Sequence, residues 1–399
     1  MEFWEEILET PPNRGKNAAT KVKNIKNKKI KKRRNQFPAL CLLIFLLAGI
    51  YVYLQWPRYE MVTLGSLGGP FGTAEAINSN GQIAGWSQLK NGESHAFIWD
   101  ANSGMKDLGT LGGKNSFASS LNDKGQVVGY SENSGGSRQA FIWNNDTGMS
   151  GIALPQAERS EASAINNKGQ VVGFYTVENH EHAFIWDSES GFKELASPYG
   201  QSCSAKNIND NGQVVGNFFA PNAKDHAFYW DKESGMIDIV EPNGPGSYAT
   251  GINNNGQVVG NIFEHKINNY SGFVWEKESG LRDLKISKIE SYANKINDAN
   301  QIIGYVKAAK FWFIPKRSFS FVRTNFGLIV NLNKSGKLKN DIVKAEAINN
   351  NGWIAGQIES NALNPRYQPI LLKPKKSPIT DLLKKIPWEY IKKKKSLKT

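Results

Sequence analysis

The side chains of this 399-residue chain that could do acid–base or metal chemistry recur at fixed intervals. A histidine precedes Ala-Phe in three copies of one short segment, and an acidic residue closes that segment in four copies. The histidines are His95, His182 and His226, and the acids are Asp100, Asp187, Asp231 and Glu276. Because equivalent residues are a whole repeat apart, we do not expect the histidines to share a metal ion. An acid at the end of a strand also commonly opens a turn.

No catalytic motif rises above this repeated background. The chain has no Gly-x-Ser-x-Gly segment, no glycine-rich phosphate-binding loop and no zinc-binding helix motif. A pair of acids for glycoside hydrolysis cannot be distinguished from acids that belong to the repeat. We therefore predict no catalytic residue, no metal and no cofactor, and we expect a non-enzymatic binding or scaffold module. The alternative is a hydrolase or lyase that acts on surface polysaccharide.

The connections that vary between repeats offer a different kind of site. The loop between the second and third strand-like pieces of each repeat changes freely, while the other turns keep their residues. Loops displayed on a rigid scaffold are where binding residues concentrate. The predicted partner-binding residues are His180, Lys224, His265, Tyr270 and Arg366. The expected partner is a protein or a glycan, and neutral drift of exposed loops is the alternative interpretation.

The element that must position these loops is a turn that recurs seven times. Each copy has an Asn, two further residues, a Gly (Asn in one copy) and then a short apolar strand, as in residues 209–216 (NDNGQVVG). Asn and Gly in this order favour a tight turn between two strands. The copies begin at Asn78, Asn122, Asn166, Asn209, Asn253, Asn297 and Asn349, at spacings of 44, 44, 43, 44, 44 and 52 residues.

The fourth position of the turn indicates a backbone with φ > 0. The residues there are Gly81, Gly125, Gly169, Gly212, Gly256, Asn300 and Gly352. Asn is the other residue that tolerates left-handed geometry, so the exchange at Asn300 fits a backbone requirement. A calcium loop would need oxygen ligands at several alternating positions and a bidentate carboxylate. We therefore predict structural turns and no metal.

Each repeat of ~44 residues contains four strand-like pieces. In the first repeat these pieces run over 74–78, 82–87, 95–99 and 105–108. Short runs of strand-forming residues between regularly spaced turns predict an all-β array. The third piece reads H-A-F-I-W in its fullest form. We place its sixth copy at 309–312 and an insertion at 313–325.

The order of the pieces predicts a closed ring. An unpaired fourth strand at 61–67 precedes seven copies of the first three strands. If it completes the seventh sheet, the chain closes as a seven-bladed β-propeller of four-stranded repeats, which leaves no long sheet edge exposed. The Phe and Trp of each third strand then pack between blades, and we expect a monomer. An open solenoid is the alternative, but it needs capping repeats that the sequence lacks.

The two ends of the chain differ from the repeats in charge. The net charge is +13, but residues 1–36 carry eleven Lys or Arg and four Glu, and residues 373–399 carry ten Lys and two acids. The residues between them have 28 basic and 30 acidic side chains, which argues against a nucleic-acid-binding surface there. We assign residues 1–36 as a basic cytoplasmic segment and residues 374–399 as a basic C-terminal tail.

Residues 37–56 are almost uninterruptedly apolar, with four basic residues at 31–34 and aromatic residues at the far end. A helix of twenty residues matches a hydrocarbon core of ~30 Å, and the basic flank sets its orientation. We predict a transmembrane signal anchor with a cytoplasmic N-terminus. Residues 57–373 would then lie on the extracytoplasmic side, periplasmic or extracellular. A cleaved signal peptide is the alternative, although no small-x-small cleavage site follows the apolar run.

Three motifs in combination resemble a known family. The segments I-N-x-x-G-Q-V-V-G, H-A-F-I-W and D-L-G-T-L-G-G recur between residues 61 and 373. Together they resemble the HAF-repeat family of extracellular repeat proteins. The resemblance implies an exported or surface location and a repeat architecture, and it implies no particular chemistry. The sixth repeat, with its insertion, and the divergent seventh repeat depart from the pattern.

Overall fold

The computed structural model describes residues 59–200, 202–264, 269–287, 290–307, 310–311, 314–315, 318–334, 342–359 and 366–375. The predicted cytoplasmic segment, the predicted signal anchor, nearly all of the C-terminal tail and His265 lie outside these ranges. Within them, no helix is both long and apolar enough to cross a membrane. The described residues are almost entirely strand and turn, which confirms the predicted all-β fold.

The chain forms strand β1 (Tyr59–Thr63) and then seven successive groups of strands, which we call units 1 to 7. Unit 1 contains β2 (Gly68–Ile77), β3 (Ile83–Leu89), β4 (Ser94–Asp100) and β5 (Gly104–Asp107). Unit 2 contains β6 (Gly112–Leu121), β7 (Val127–Asn133), β8 (Arg138–Asn144) and β9 (Gly148–Gly151). Unit 3 contains β10 (Arg159–Ile165), β11 (Val171–Val177), β12 (His180–Asp187) and β13 (Gly191–Leu195).

The remaining units repeat this pattern. Unit 4 contains β14 (Cys203–Ile208), β15 (Val214–Phe219), β16 (Asp225–Asp231) and β17 (Gly235–Asp238). Unit 5 contains β18 (Ser247–Ile252), β19 (Val258–Glu264), β20 (Asn269–Glu276) and β21 (Gly280–Asp283). Unit 6 contains β22 (Ser291–Ile296), β23 (Ile302–Val306), the short β24 (Lys310–Phe311) and β25 (Ile314–Pro315), β26 (Phe319–Arg323), β27 (Ile329–Asn331) and a 3-10 turn (Leu332–Lys334). Unit 7 contains β28 (Ile342–Ile348), β29 (Ile354–Glu359) and β30 (Tyr367–Pro374).

Units 2 to 6 each form a separate four-stranded antiparallel sheet, whereas units 1 and 7 meet in one sheet. In unit 7, β1 pairs antiparallel with β30, from Tyr59 opposite Pro374 to Thr63 opposite Ile370. The N-terminal strand therefore supplies the fourth strand of the last unit. Strand β30 also touches β2 through one parallel pair, Phe71 opposite Tyr367.

Unit 6 differs from the sequence prediction. Residues 309–312 do not form its third strand, because β24 and β25 pair with each other in a short inserted hairpin. The third strand is β26, in which Phe321 lies opposite Gly304, as Phe97 lies opposite Gly85 in unit 1. The prediction was wrong because Phe311-Trp312 imitates the aromatic motif, while β26 keeps only its buried Phe.

Every first strand carries a β-bulge three residues before its Asn. In unit 4, Ala205 pairs with Gly216 and Asn207 pairs with Val215, which leaves Lys206 unmatched in the ladder. The same shift occurs in all seven units. The bulge places the carbonyl oxygen of Ser204 only 2.1 Å from the position of a Cβ on Gly216. The glycine that ends each Val-Val-Gly run is therefore required by the close approach of the bulged strand.

The seven turns are joined in a closed ring of hydrogen bonds. The Nδ2 of each turn Asn donates to the backbone carbonyl of the Asn in the next unit, at 2.8 to 3.2 Å. The last of these bonds runs from Asn349 back to Asn78. Each Asn Oδ1 accepts the N–H of the residue four positions on, as Asn209 does from Gln213. The turn residues have positive φ, from 59° at Asn300 to 86° at Gly169.

A second ring is built by the residue that follows each turn Asn. For six neighbouring pairs, the backbone N–H of one residue donates to the side-chain Oδ1 of the next, at 2.7 to 2.9 Å. Acid and amide alternate, so that Asn254 donates to the carboxylates of both Asp210 and Asp298. A closed ring of seven positions cannot alternate acid and amide throughout, because seven is an odd number. Ser79 occupies the position where the alternation is interrupted. The ring members are Ser79, Asp123, Asn167, Asp210, Asn254, Asp298 and Asn350.

The hydrophobic core lies between adjacent units. Phe141 of unit 2 packs in one cluster with Ala84 and Ala96 of unit 1. Burying such a ring is worth about 2–3 kcal/mol, so each third strand holds its unit against the preceding one. The fully buried phenylalanine rings of the third strands are Phe97, Phe141, Phe184, Phe228, Phe273 and Phe321.

Candidate functional site

The seven unmatched residues at the bulges line the centre of the ring, and we call them the bulge residues. Six of them line a cavity of about 670 Å³, which we call the axial cavity. The seventh, Ser163, lines a cavity of about 170 Å³ that shares Glu75, Ser119 and Lys295 with the first. The bulge residues are Glu75, Ser119, Ser163, Lys206, Thr250, Asn294 and Glu346.

The two Asn-containing rings line a third, polar cavity of about 220 Å³ at the C-terminal ends of the first strands. Their amide and carboxylate groups are used in hydrogen bonds between units, as at Asn254. Among the described residues, no group of three or more His, Cys, Asp or Glu could hold a metal ion. The polar side chains at the turns, which we call the turn end of the ring's centre, therefore connect neighbouring units by hydrogen bonds.

The axial cavity holds four charged side chains from the first strands: Glu75, Lys206, Lys295 and Glu346. Burial, with a contribution from the charge of Glu346, raises the pKa of Glu75 to about 7. Burial lowers the pKa of Lys295 to about 8 although both glutamates oppose this effect. Burial also raises the pKa of Glu346 and lowers that of Lys206. These groups are enclosed by protein but open on the cavity, which is the setting in which functional residues titrate near neutrality.

An aromatic ladder leads into the cavity from units 5 and 6, and we call it the tyrosine ladder. Its rings, Tyr248, Tyr270, Tyr292 and Tyr305, follow one another at centroid distances of 5.6, 5.6 and 4.5 Å. Tyr248 lines the axial cavity, and Tyr305 is 36% exposed. Burial raises the pKa of Tyr248 and of Tyr292, so both hydroxyls remain protonated donors at neutral pH.

A second aromatic ladder comes from units 1 and 2, and we call it the tryptophan ladder. It consists of Trp86, Phe117 and Tyr130, with centroid distances of 5.4 and 5.0 Å, and all three rings line the axial cavity. Arg138 lies over the Tyr130 ring at 4.8 Å. Trp86 and Tyr130 both follow the close-approach glycine of the second strand. That position holds a planar side chain in every unit: Trp86, Tyr130, Phe174, Asn217, Asn261, Tyr305 and Gln357.

The order of the units places the charges between the two ladders. The shorter path around the ring from the tyrosine ladder to the tryptophan ladder passes through unit 7, because Asn349 bonds to Asn78. Lys295 of unit 6, Glu346 of unit 7 and Glu75 of unit 1 lie along this path. Two stacking surfaces therefore flank one group of acids and a lysine.

The residues predicted from the variable loops are spread around the ring. His180 of unit 3 is exposed, and its Nδ1 lies 2.9 Å from the carbonyl oxygen of Glu178. Lys224 lies in the loop before β16, and Arg366 is exposed before β30. Of the four candidates that the structure describes, Tyr270 alone belongs to a ladder that reaches the axial cavity. His265 lies outside the described residues.

The repeated histidines have a local structural role. Each Nδ1 lies 2.9 Å from an acid on the fourth strand of the same unit: His95 with Asp107, His182 with Glu194 and His226 with Asp238. His226 is completely buried and also meets Asn222. These pairs fasten the third strand to the fourth.

Sequence reasoning missed the bulge residues, although a signal was present. Each first strand reads Ala, a variable polar residue, a further residue, an apolar residue and Asn, as in Ala74-Glu75-Ala76-Ile77-Asn78. In a regular strand, this polar side chain and the side chains of its two neighbours would point to opposite faces of the sheet. The differences between units at this position, Glu, Ser, Ser, Lys, Thr, Asn and Glu, are as large as those in the loops. Aligning the seven first strands by their Asn would have singled it out.

Comparison with protein families finds one match, which covers less than a quarter of the chain. A family model described as a protein of unknown function (DUF3466) matches residues 192–282. No curated protein matches the chain.

Comparison with solved structures concerns the fold. The β-propeller domain of the Trilobed protease from Pyrococcus furiosus is similar with a TM-score of 0.51 at 12% identity, covering 76% of this chain and 95% of that one. Puromycin hydrolase matches with a TM-score of 0.51 at 11% identity, over 77% of this chain and 52% of that one. An acylaminoacyl peptidase from Pyrococcus horikoshii matches with a TM-score of 0.50 at 12% identity, over 79% and 54%. This chain thus spans about half of each of the two hydrolases. At such identity the likeness identifies a β-propeller fold and carries nothing about activity.

Proposed function

We propose that the seven units form one seven-bladed β-propeller and that this propeller belongs to an exported, membrane-anchored HAF-repeat protein. Two contacts between the first and last units support closure. Strand β1 completes the sheet of unit 7, and Asn349 Nδ2 donates to the carbonyl of Asn78 at 2.9 Å. The apolar residues 37–56 support the anchor, and the three repeated motifs support the family.

We propose that the propeller is a binding module and that its ligand is an oligosaccharide held in the axial cavity. The observation that carries this proposal is the combination of aromatic rings with carboxylate, ammonium and amide groups in one cavity. A sugar ring has an apolar face that packs on an aromatic ring, and its hydroxyl groups need donors and acceptors around the edge. Trp86 and Tyr248 offer the first, while Lys206 and Asn294 offer the second.

The size of the cavity favours a small ligand over a protein surface. Cavities of about 300–1,000 Å³ are typical of small-molecule sites, and a concave site encloses most of its ligand. The axial cavity, at about 670 Å³, falls within this range. A protein partner would instead contact the exposed loops, where His180 and Arg366 lie on different units.

The two ladders suggest how a saccharide chain lies in the cavity. Sugar rings at one end of the saccharide would stack on the tyrosine ladder, and those at the other end on the tryptophan ladder. The sugars in the middle would lie over Lys295, Glu346 and Glu75. The tyrosine ladder continues from the cavity wall toward Tyr305, which is partly exposed. We therefore expect binding to strengthen with chain length until both ladders are covered.

The test is to screen the purified full chain against an array of soluble neutral, amino and uronic oligosaccharides and short peptides. Tyr248→Ala is expected to weaken binding of the best saccharide at least about tenfold, because a stacking ring in a cavity is worth over 1 kcal/mol. Phe326→Ala is the matched control, since Phe326 is 84% exposed in the turn between β26 and β27. Binding of peptides only, or full saccharide binding by Tyr248→Ala, would refute the proposal.

A further inference from the structure

Each unit places one pair of residues opposite each other just before its bulge, and we call it the belt pair. The pair consists of the residue two places before the bulge residue and its partner on the second strand. In unit 6 the belt pair is Tyr292 opposite Tyr305, which stack with their centroids 4.5 Å apart. In unit 7 it is Lys344 opposite Gln357. The aromatic wall is therefore interrupted between the two ladders by a cation and an amide.

Lys344 stands between two clefts that adjoin the axial cavity. One cleft, of about 460 Å³, lies between units 6 and 7 and shares Asn294 and Glu346 with the axial cavity. The other, of about 360 Å³, lies between units 7 and 1 and shares Trp86 with it. Lys344 lines both clefts, and Gln357 lines the second. A ligand that passes from one ladder to the other therefore meets both side chains.

The ammonium group of Lys344 is available to a ligand. Lys344 is exposed, and its Nζ lies 5.8 Å from the centroid of the Tyr367 ring. Among the residues that the structure describes, it has no hydrogen-bond or ion-pair partner. Lys307, which lines the same cleft, is by contrast paired with Glu290 at 3.0 Å. Contact with a ring face uses the charge of a lysine but not its three N–H donors, so these remain for a bound acceptor.

The amide of Gln357 is a second group without a protein partner. Gln357 is half-buried, and its side chain makes no hydrogen bond within the described ranges. Asn261 holds the same position in unit 5, and its amide both donates to and accepts from the backbone of Ala293, at 3.1 and 2.8 Å. Half-buried amides usually have such partners. The amide of unit 5 joins two units, whereas that of unit 7 faces a cleft with its donors unused.

The acids near Lys344 do not take up its charge. Burial raises the pKa of Glu346, and the charges of Lys344 and Lys295 act against this, so Glu346 faces both lysines. Lys295 also faces Glu75. An acidic group on a ligand would therefore give Lys344 an anion of its own. Glu346 would still accept hydrogen bonds from sugar hydroxyls.

We propose that the saccharide bound in the axial cavity is anionic and that its acidic group binds to Lys344 and Gln357 in unit 7. This inference rests on the proposed function, because the saccharide must first lie across the two ladders. A carboxylate of a uronic acid and a sulfate ester share the required chemistry, since both present oxygen acceptors with negative charge. The ammonium donates charge-assisted hydrogen bonds to these oxygens, and Gln357 Nε2 donates another. Tyr305 and Trp86, on either side, stack on the neighbouring sugars.

The experiment is a calorimetric titration of the purified full chain with matched pairs of oligosaccharides. One pair is a uronic oligosaccharide and its methyl ester, and the other is a sulfated oligosaccharide and its desulfated form. In at least one pair, the acidic member is expected to bind at least about tenfold more tightly, because hydrogen bonds to charged groups are the strong ones. The pair that shows this preference identifies the acidic group.

Lys344→Gln tests the assigned residue. It should reduce the preference for the acidic member to within about threefold and leave the affinity for the neutral member unchanged. Added salt should weaken binding of the acidic member to the unchanged chain but not to the variant, since salt screens an exposed ion pair. Lys232→Gln, an exposed lysine in the turn between β16 and β17, is the matched control and should keep the preference.

The outcomes distinguish this inference from the proposed function. Equal or tighter binding of the neutral members, or a preference that survives Lys344→Gln, would overturn the inference and leave saccharide binding intact. Loss of the preference in Lys232→Gln as well would show a general effect of charge and would also overturn it. Failure to bind any saccharide would overturn both proposals.

Discussion

At the centre of the ring, the turns lie at one end and the axial cavity at the other, and the repeated first strand contributes differently to each. At the turn end, Asn occupies the same position in all seven units, and its side chain both steadies its own turn and bonds to the next. Only three residues earlier, the bulge position holds five different residue types in the seven units. The constant position closes the ring, and the variable position lines the cavity. This comparison indicates that the turn position fixes the fold, whereas the bulge position, where we propose that the ligand binds, is free to vary.

Hydrogen bonding explains why the turn end cannot vary. Asn209 Oδ1 accepts from the N–H groups of Asn211 and Gln213, and Nδ2 donates to Gln213 Oε1 and Asn253 O. No capacity is left for a ligand. At the cavity end, by contrast, Glu75 and Lys206 make no hydrogen bond to the backbone within the described part of the chain. Such groups can change without loss of the fold.

The largest predicted effect concerns the bulge that separates the two ends. Gly216→Ala should lower the free energy of unfolding by about 4 kcal/mol, because the new Cβ would lie 2.1 Å from Ser204 O and 2.8 Å from the Phe228 ring. Gly235→Ala is the control, since a Cβ there meets nothing within 4 Å and only the positive φ of 69° is strained. It should cost about 1 kcal/mol in urea denaturation. Equal losses in the two variants would contradict the close-approach explanation.

The next effect tests the turn end itself. Asn209→Ala should lower the free energy of unfolding by about 3 kcal/mol, because it removes four hydrogen bonds from a buried side chain. Asn211→Ala removes one exposed bond to Asn254 and should cost less than about 1 kcal/mol. Thermal denaturation of both variants checks the difference. A comparable loss in Asn211→Ala would show that the ring bonds are not what closes the fold.

At the cavity end, removing the charge of Glu75 is expected to raise the free energy of unfolding, and the gain should depend on pH. Glu75 has a folded pKa of about 7 against an ordinary value of 4.5, so its contribution to stability is lost as the pH rises from 4.5 through 7. Glu75→Gln removes this loss. The variant should match the unchanged chain at pH 4 and exceed its unfolding free energy by about 1–3 kcal/mol at pH 8. Chemical denaturation at the two pH values measures this, and a destabilised variant at pH 8 would show that Glu75 supports the fold.

The smallest effect concerns the break in the second ring. Ser79 lies between Asn350 and Asp123, and Asn at this position could accept from the N–H of Asn350 and donate to Asp123. Ser79→Asn should therefore raise stability by about 0.5–1 kcal/mol. Ser79→Asp is the comparison, because it would place two carboxylates side by side and should gain less. A larger gain for the aspartate would argue against the alternation of acid and amide.

The sequence predicted the parts of the fold that depend on local chemistry. The seven turns, the strands around them and the N-terminal strand that pairs with β30 follow from Asn-Gly spacing and apolar runs. The third strand of unit 6 was misplaced because Phe311-Trp312 matches the motif, whereas the residues around Phe321 lack the Trp that ends it. A pattern of residue types does not reveal which phenylalanine lies opposite Gly304.

The candidate site was harder to predict because a bulge is not visible as a motif. Polar residues such as Lys206 look like the outward-facing residues of an alternating strand, and the bulge reverses that expectation. The loops attracted attention because they vary in an obvious way. Tyr270 was found from its loop, but its partners Tyr248 and Tyr292 belong to first strands, and only the packing of units 5 and 6 brings them together.

One measurement tests most directly whether the turn residues hold the fold while the bulge residues bind the ligand. Glu346→Ser places in unit 7 the residue that units 2 and 3 already carry at the bulge, Ser119 and Ser163, so the fold should accept it. Calorimetric titration with the best saccharide, beside a thermal melt, reads both properties in one variant. We predict an unchanged or slightly higher melting temperature and an affinity at least about tenfold lower. Unchanged affinity, or a loss of folding with affinity, would contradict the assignment of recognition to the bulge residues.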